Sequence, residues 1–188
     1  MPGAERAAGS MDVSRHPLER VRTRRLFLAL WPTPQVRAGL LAWRDAFAWP
    51  ATAAVVAPER LHLTLHFIGA VPADRVDAVQ AGLAVEPAAF ELGFGRAELW
   101  PRGIAVLRPL REPPALQDLH VRIGAALRAL GLPVEARPFR PHVTLARRAE
   151  GVALTQIPAP LRWRVRSYAL VESRLGRDGG YVVLRRYG

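Results

Sequence analysis

Apolar residues follow two rhythms along this chain, and the switches between them predict its elements. The run RLFLALWP (25–32) is short, apolar and closed by Pro32, which suits a buried strand. In TPQVRAGLLAWRDAF (33–47) the apolar residues Val36, Leu40, Trp43 and Phe47 fall at helical spacing, with Thr33 placed to cap and Pro34 suited to the first turn. A short strand is expected in ATAAVVAPE (51–59) and a clear one in RLHLTLHFIG (60–69), which Gly69 ends. The helical period returns in PADRVDAVQAGLA (72–84), with Val76, Val79 and Leu83 inward. Two strands follow, AFELGFGRAELW (89–100) and GIAVLRPL (103–110), joined by a turn.

The second half repeats the theme. PALQDLHVRIGAALRALG (114–131) reads as a helix with Leu116, Leu119, Ile123, Leu127 and Leu130 inward and Gly131 as its stop. RPHVTLARR (140–148) is again a strand, and LRWRVRSYALVES (161–173) and GYVVLRRYG (180–188) are expected as two final strands around the turn RLGRDGG (174–180). Residues 1–22 mix Gly, Pro, Ser and charges without periodicity and read as a flexible tail, so the folded unit is a single domain over 23–188.

Two strands carry the same short motif, His-x-Thr-Leu, at 62–65 and 142–145. Each follows an amphipathic helix and the copies lie 80 positions apart, as expected of two similar lobes that contribute one strand each. Shuffling a chain with 5 His and 6 Thr yields roughly 0.2 His-x-Thr matches per sequence, so two matches on strands are unexpected by chance. Strand alternation puts His62, Thr64 and His66 on one face and Leu61, Leu63, Leu65 and Phe67 on the other. Two such strands packed together describe a groove lined by imidazoles and hydroxyls.

At 188 residues the chain is long enough to bury a sizeable core. No apolar run approaches the roughly 18 residues that span a bilayer, and the N-terminus lacks the order of a signal peptide, so a cytoplasmic protein without membrane contact is expected. The absence of cysteine excludes disulfides, thiol nucleophiles and Cys-based zinc sites. The net charge of +11 comes from arginine alone, since there is no lysine. A coding bias explains the choice of Arg, while the excess positive charge still favours a phosphate-bearing partner such as nucleic acid.

Two histidines without a metal suit displacement at phosphorus. One imidazole takes a proton from the attacking oxygen while the other gives one to the leaving oxygen, and both titrate near neutral pH. The Thr64 and Thr144 hydroxyls can donate to the non-bridging oxygens, and Arg147, at the end of the second motif strand, is the candidate for stabilising the added negative charge. Arg140 is a second candidate for the phosphate. Spacing does not say which histidine is acid and which is base. A metal site would want a third ligand that neither motif supplies, with His66 the one residue positioned to add it. His66 is otherwise a substrate contact or a strand-end residue, while His16 and His120 are read as non-catalytic. Trp31, Trp43, Trp49, Trp100 and Trp163 are assigned to core or rim packing, Phe67 to the core, and Arg162, Arg164 and Arg166 to a solvated basic face.

HLTLHFIG (62–69), RPHVTLARR (140–148) and the opening strand RLFLAL together resemble the two-histidine (2H) phosphoesterases, most closely the RNA 2′,3′-cyclic phosphodiesterase (ThpR/LigT) family, historically called 2′-5′ RNA ligases. The resemblance covers residues 23–188. It implies an α+β fold of two pseudo-symmetric lobes of antiparallel sheet with packed helices, enclosing a central groove. It also implies hydrolysis of RNA 2′,3′-cyclic phosphate ends to 2′-phosphomonoesters with no metal or cofactor, His62 being the proton donor, His142 the proton acceptor, and Thr64, Thr144 and Arg147 the substrate contacts. The expected partner is an RNA or oligonucleotide with a cyclic phosphate end, bound by a monomer. Competing readings are a non-catalytic module that holds an RNA end, a 2′-5′ RNA ligase, and a phosphodiesterase for small cyclic nucleotides.

Overall fold

The computed structural model describes residues 22–155, 158–174, 176 and 179–188; all but the last residue of the 1–22 tail, His16 included, lies outside them, as do Leu175, Arg177 and Asp178 of the 174–180 turn. In chain order the elements are β1 (Thr23–Leu30), α1 (Pro34–Asp45), β2 (Ala54–Val55), β3 (Leu63–Pro72), α2 (Val76–Gly82), β4 (Phe90–Trp100), β5 (Ile104–Pro109), α3 (Pro114–Ala129), β6 (Val143–Arg147), β7 (Leu161–Val165), β8 (Tyr168–Ser173) and β9 (Tyr181–Tyr187). The helices form where their apolar period begins. Thr33 Oγ1 accepts the Val36 N–H at the start of α1, and Gly131, at φ +66°, follows α3 in the left-handed conformation that stops a helix.

All strand pairs are antiparallel, in the order β7-β4-β5-β6-β3-β1-β8-β9, with β2 added on β6. The middle of this order is twofold-related. β3 and β6 lie at the centre, each flanked by the strand that precedes its helix: β1-α1 leads to β3, and β5-α3 leads to β6. The two four-stranded halves meet through one pair, Leu63 opposite Val143. These are the middle residues of the two His-x-Thr motifs, so the pseudo-twofold axis passes between the motifs. Both side chains are fully buried on the helix side, in the main core with Leu26, Leu28, Leu30, Trp43 and Leu107. Burying each of these two side chains there contributes about 1.5–3 kcal/mol.

The face assigned to His66 and Phe67 is corrected by a β-bulge. Ala29 pairs with Thr64 but Leu28 pairs with His66, so Leu65 is an extra residue and the alternation slips by one. Leu65 and His66 are therefore buried in succession, and Phe67 emerges on the groove face, 48% exposed. His66 neither lines the groove nor adds a ligand to it. It is clasped to α3 instead: His66 Nε2–H donates to the His120 carbonyl (2.8 Å), His120 Nδ1–H donates to the Leu65 carbonyl (3.1 Å), and the two rings stack at 4.0 Å with Phe139 beyond. Burial lowers the pKa of both, His120 to about 4, which keeps the stacked pair neutral.

The stretch 161–173, expected as one strand, is two. β7 pairs with β4 at one edge, whereas β8 pairs with β1 and β9 in the other half, so the chain changes halves at Arg166 and Ser167. Arg162 and Arg164 are exposed on β7, but Arg166 lies beyond the strand.

Candidate active site

The two histidines sit one residue before β3 and β6, and both are fixed in the same way. His62 Nδ1–H donates to the Arg60 carbonyl (2.6 Å) and His142 Nδ1–H to the Arg140 carbonyl (2.7 Å), each two residues back. A carbonyl only accepts, so Nδ1 carries the proton and Nε2 is the nitrogen left for chemistry. His62 Nε2 lies 3.0 Å from Thr64 Oγ1 and accepts its hydroxyl proton when neutral. The antiparallel pairing of Leu63 with Val143 sets His62 toward Thr144 and Thr64 toward His142. All four line one groove of about 480 Å³, together with Arg147.

Each histidine has a different aromatic setting. Trp31 stacks on His62 (5.7 Å, 17°), with Phe27 at 4.9 Å and Tyr181 edge-on at 5.3 Å. These rings stand on a small apolar floor of Ala29, Ala169 and Val171. His142 meets Trp100 (4.5 Å, 55°), whose ring is also covered by the Arg140 guanidinium at 4.3 Å. Arg140 thus covers a tryptophan and is not among the groove-lining residues.

Burial dominates the titration of both imidazoles. It lowers His62 to about 4 against the opposing bond from the Arg60 carbonyl, with the positive charges of His142, Arg147 and Arg37 lowering it further. His142 is lowered by burial, partly offset by the Arg140 carbonyl, and then by Arg147, Arg140 and Arg108. Arg147, on β6 opposite Ala54 of β2, is within electrostatic reach of both rings. An empty groove at neutral pH therefore holds two neutral imidazoles beside fixed positive charge. An anion bound there favours the imidazolium and raises both pKa values.

All five residues expected at the site, His62, Thr64, His142, Thr144 and Arg147, are brought together. Sequence reasoning missed Phe67, Trp31, Trp100, Tyr181 and Arg25. Trp43 and Trp163 are core, as expected, but Trp31 and Trp100 touch the histidines. A signal for Trp31 was present: Phe27, Ala29 and Trp31 alternate against Leu26, Leu28 and Leu30, which marks a second, differently packed face. Phe67 had none, because the bulge that turns it outward is set by β1. Arg25 lies 5.5 Å from the Phe67 ring and extends the groove along β1.

A twofold-related pair of His-x-Thr strands on one face of an antiparallel sheet, backed by helices on the other, defines a two-histidine α+β groove protein. The chain belongs to the 2′-5′ RNA ligase superfamily, which its residues 32–177 match. It is similar to the RNA 2′,3′-cyclic phosphodiesterase of Escherichia coli (strain K12), 34% identical over 154 residues, which cover 80% of this chain and 85% of that protein. It is also similar to the RNA 2′,3′-cyclic phosphodiesterase of Thermus thermophilus, 33% identical over 184 residues, covering 87% of this chain and 89% of that protein. Among solved structures, E. coli LigT complexed with 3′-AMP matches with a TM-score of 0.78 at 29% identity, over 88% of this chain and 98% of that one. The family and the α+β groove architecture expected from the motifs are borne out. No helix among the described residues is long and apolar enough to cross a membrane.

Proposed function

We propose that the groove hydrolyses RNA 2′,3′-cyclic phosphate ends to 2′-phosphomonoesters. The observation that carries this reading is the pair of groove-lining imidazoles, each with Nδ1 tied to a carbonyl and Nε2 left for proton transfer. Water attacks phosphorus in line with the departing 3′ oxygen and passes its proton to His142 Nε2. The P–O3′ bond breaks, and His62 Nε2–H supplies the proton that makes the 3′ hydroxyl. The phosphate stays on O2′. Thr64 and Thr144 donate to the non-bridging oxygens, and Arg147 stabilises the charge that accumulates on them. His62 is neutral in the empty groove, so the bound phosphate anion has to restore its proton. Thr64 Oγ1, which donates to the neutral ring, becomes free to bond the phosphate as that happens. Two imidazoles supply both proton transfers, and no metal is required. Phe67, exposed beside the motif, offers an aromatic face to the terminal base. We take the protein to act as a monomer, since one chain builds the whole groove, and in the cytoplasm, where RNA ends are found.

The test is incubation with an oligoribonucleotide ending in 2′,3′-cyclic phosphate, in EDTA, with the 2′- and 3′-phosphate products resolved. A 2′-phosphate is expected. Binding without product would leave a module that only holds an RNA end, and a strong preference for cyclic mononucleotides would remove RNA as the substrate.

The same assay carries a pH prediction. The free protein needs one imidazole protonated and one neutral, and both titrate below 6.5, His62 at about 4. The kcat/KM profile is therefore expected to rise through an acid limb near pH 4 and to fall through an alkaline limb below 6.5, the limbs belonging to the pair. The kcat profile lies at higher pH, because the bound anion raises both groups. A kcat/KM optimum above pH 7 would contradict this electrostatic account.

A further inference from the structure

The two histidines do equivalent jobs in unequal surroundings. His62 is held by three rings and the Thr64 hydroxyl, whereas the one aromatic contact of His142 among the described residues is Trp100. Trp100 is itself oriented on two sides. Its Nε1–H donates to Glu98 Oε2 at 2.9 Å, and the Arg140 guanidinium covers its face at 4.3 Å. Because the Arg140 carbonyl takes the His142 Nδ1–H, the contacts close into a ring: Arg140 main chain, His142, Trp100, Arg140 side chain. Glu98 is held in turn by Arg96 and by Arg108, the latter at 3.7 Å. Arg108 also pairs with Glu112 at 3.2 Å, and Glu112 accepts from Gln117 on α3. A chain of polar and charged side chains thus runs from Gln117 on α3 across β5 and β4 to the indole against His142.

We propose that Trp100 is a positioning residue for His142, anchored by Glu98 and Arg140, which holds the imidazole in the one ring orientation that presents Nε2 to the groove. One carbonyl bond at Nδ1 leaves the ring free to rock about that bond, and the indole face removes this freedom. Rocking moves Nε2 relative to the attacking oxygen, and a misplacement of about 1 Å costs on the order of a hundredfold in rate. Arg140 acts through the same ring of contacts, its carbonyl bonded to His142 and its guanidinium on the indole.

The inference rests on His142 acting in the proposed reaction, so the test reads the ring directly as well as through turnover. Ring ¹⁵N and ¹H resonances of His62 and His142 are followed against pH by NMR in the wild type, Trp100→Ala, Trp100→Phe and Glu98→Gln, with kcat and KM measured on the cyclic-ended oligonucleotide. In Trp100→Ala the His142 titration is expected to move up toward 6.5 and its Nδ1–H tautomer to become mixed, while His62 titrates as in the wild type and reports an intact fold. The kcat value is expected to fall by about 10- to 100-fold with KM changed by less than about threefold. Trp100→Phe, which keeps a ring against His142, restores most of both readouts, and Glu98→Gln falls between. A wild-type His142 titration and kcat in folded Trp100→Ala overturns the proposal. So does a loss confined to KM, which would make Trp100 a substrate contact. If the wild type shows no turnover, the functional reading fails, and the NMR comparison still decides whether Trp100 orients the ring.

Discussion

His142→Ala and His62→Ala are each expected to lower kcat by about 10²–10⁴-fold, the contribution of a positioned general acid or base. Both imidazoles line the groove and are only partly buried, and the core lies beneath the strands that present them, so the variants should fold. In the proposed reaction, removing His142 leaves water without an acceptor for its proton while Thr64, Thr144 and Arg147 remain to bind the phosphate, so KM should change little. Removing His62 leaves the 3′ oxygen to depart as an alkoxide, with the same separation of kcat from KM. The two losses should not multiply in the double variant, because each histidine works only on a substrate whose other side is served. The measurement is steady-state turnover of a cyclic-ended oligonucleotide, with circular dichroism to confirm folding. Either single variant turning over at the wild-type rate while folded would rule out the paired-imidazole mechanism.

Leu63→Ala should have the largest effect on stability among residues near the site. Leu63 is fully buried, pairs with Leu30 of β1, and faces Val143 in the one backbone pair between β3 and β6. Its side chain fills the core where the two halves meet. Truncating a buried leucine costs about 2–5 kcal/mol, the range reflecting how far the cavity collapses. For a domain of this size that corresponds to a Tm lower by roughly 5–20 °C. His62 and Thr64 flank the position, so collapse of the cavity also shifts them against His142 and Thr144, and a reduced kcat should accompany the lower Tm. Thermal unfolding followed by circular dichroism measures the first effect, and turnover well below the variant's Tm measures the second. A Tm within about 2 °C of the wild type would mean that the halves are held together elsewhere, since such a shift is under about 1 kcal/mol.

What was legible in the sequence was whatever depends on near neighbours along the chain. The spacing of Val36, Leu40 and Trp43 specifies α1, and that of Leu116, Leu119, Ile123 and Leu127 specifies α3, because a helix brings residues three and four apart onto one face. His-x-Thr places an imidazole and a hydroxyl on one side of a strand wherever that strand ends up, so His62, Thr64, His142 and Thr144 were readable as two matched pairs. Only the tertiary structure decided that the pairs meet through Leu63 and Val143, since strand partnership joins residues 80 positions apart and no local pattern encodes it. It also decided the fate of His66 and Phe67. Strand alternation has a period of two, one extra residue opposite β1 inverts the positions that follow until a second bulge at Ile68 restores them, and that first residue is dictated by the fit of β3 to its neighbour and to His120 on α3. The rings around His62 and the indole against His142 belong to the same category, because Phe27, Trp31, Trp100 and Tyr181 come from distant segments that become neighbours only when the sheet closes its order. The chain by itself determined which groups are available for the chemistry. Packing between remote strands determined how they face one another and in what protonation state they wait.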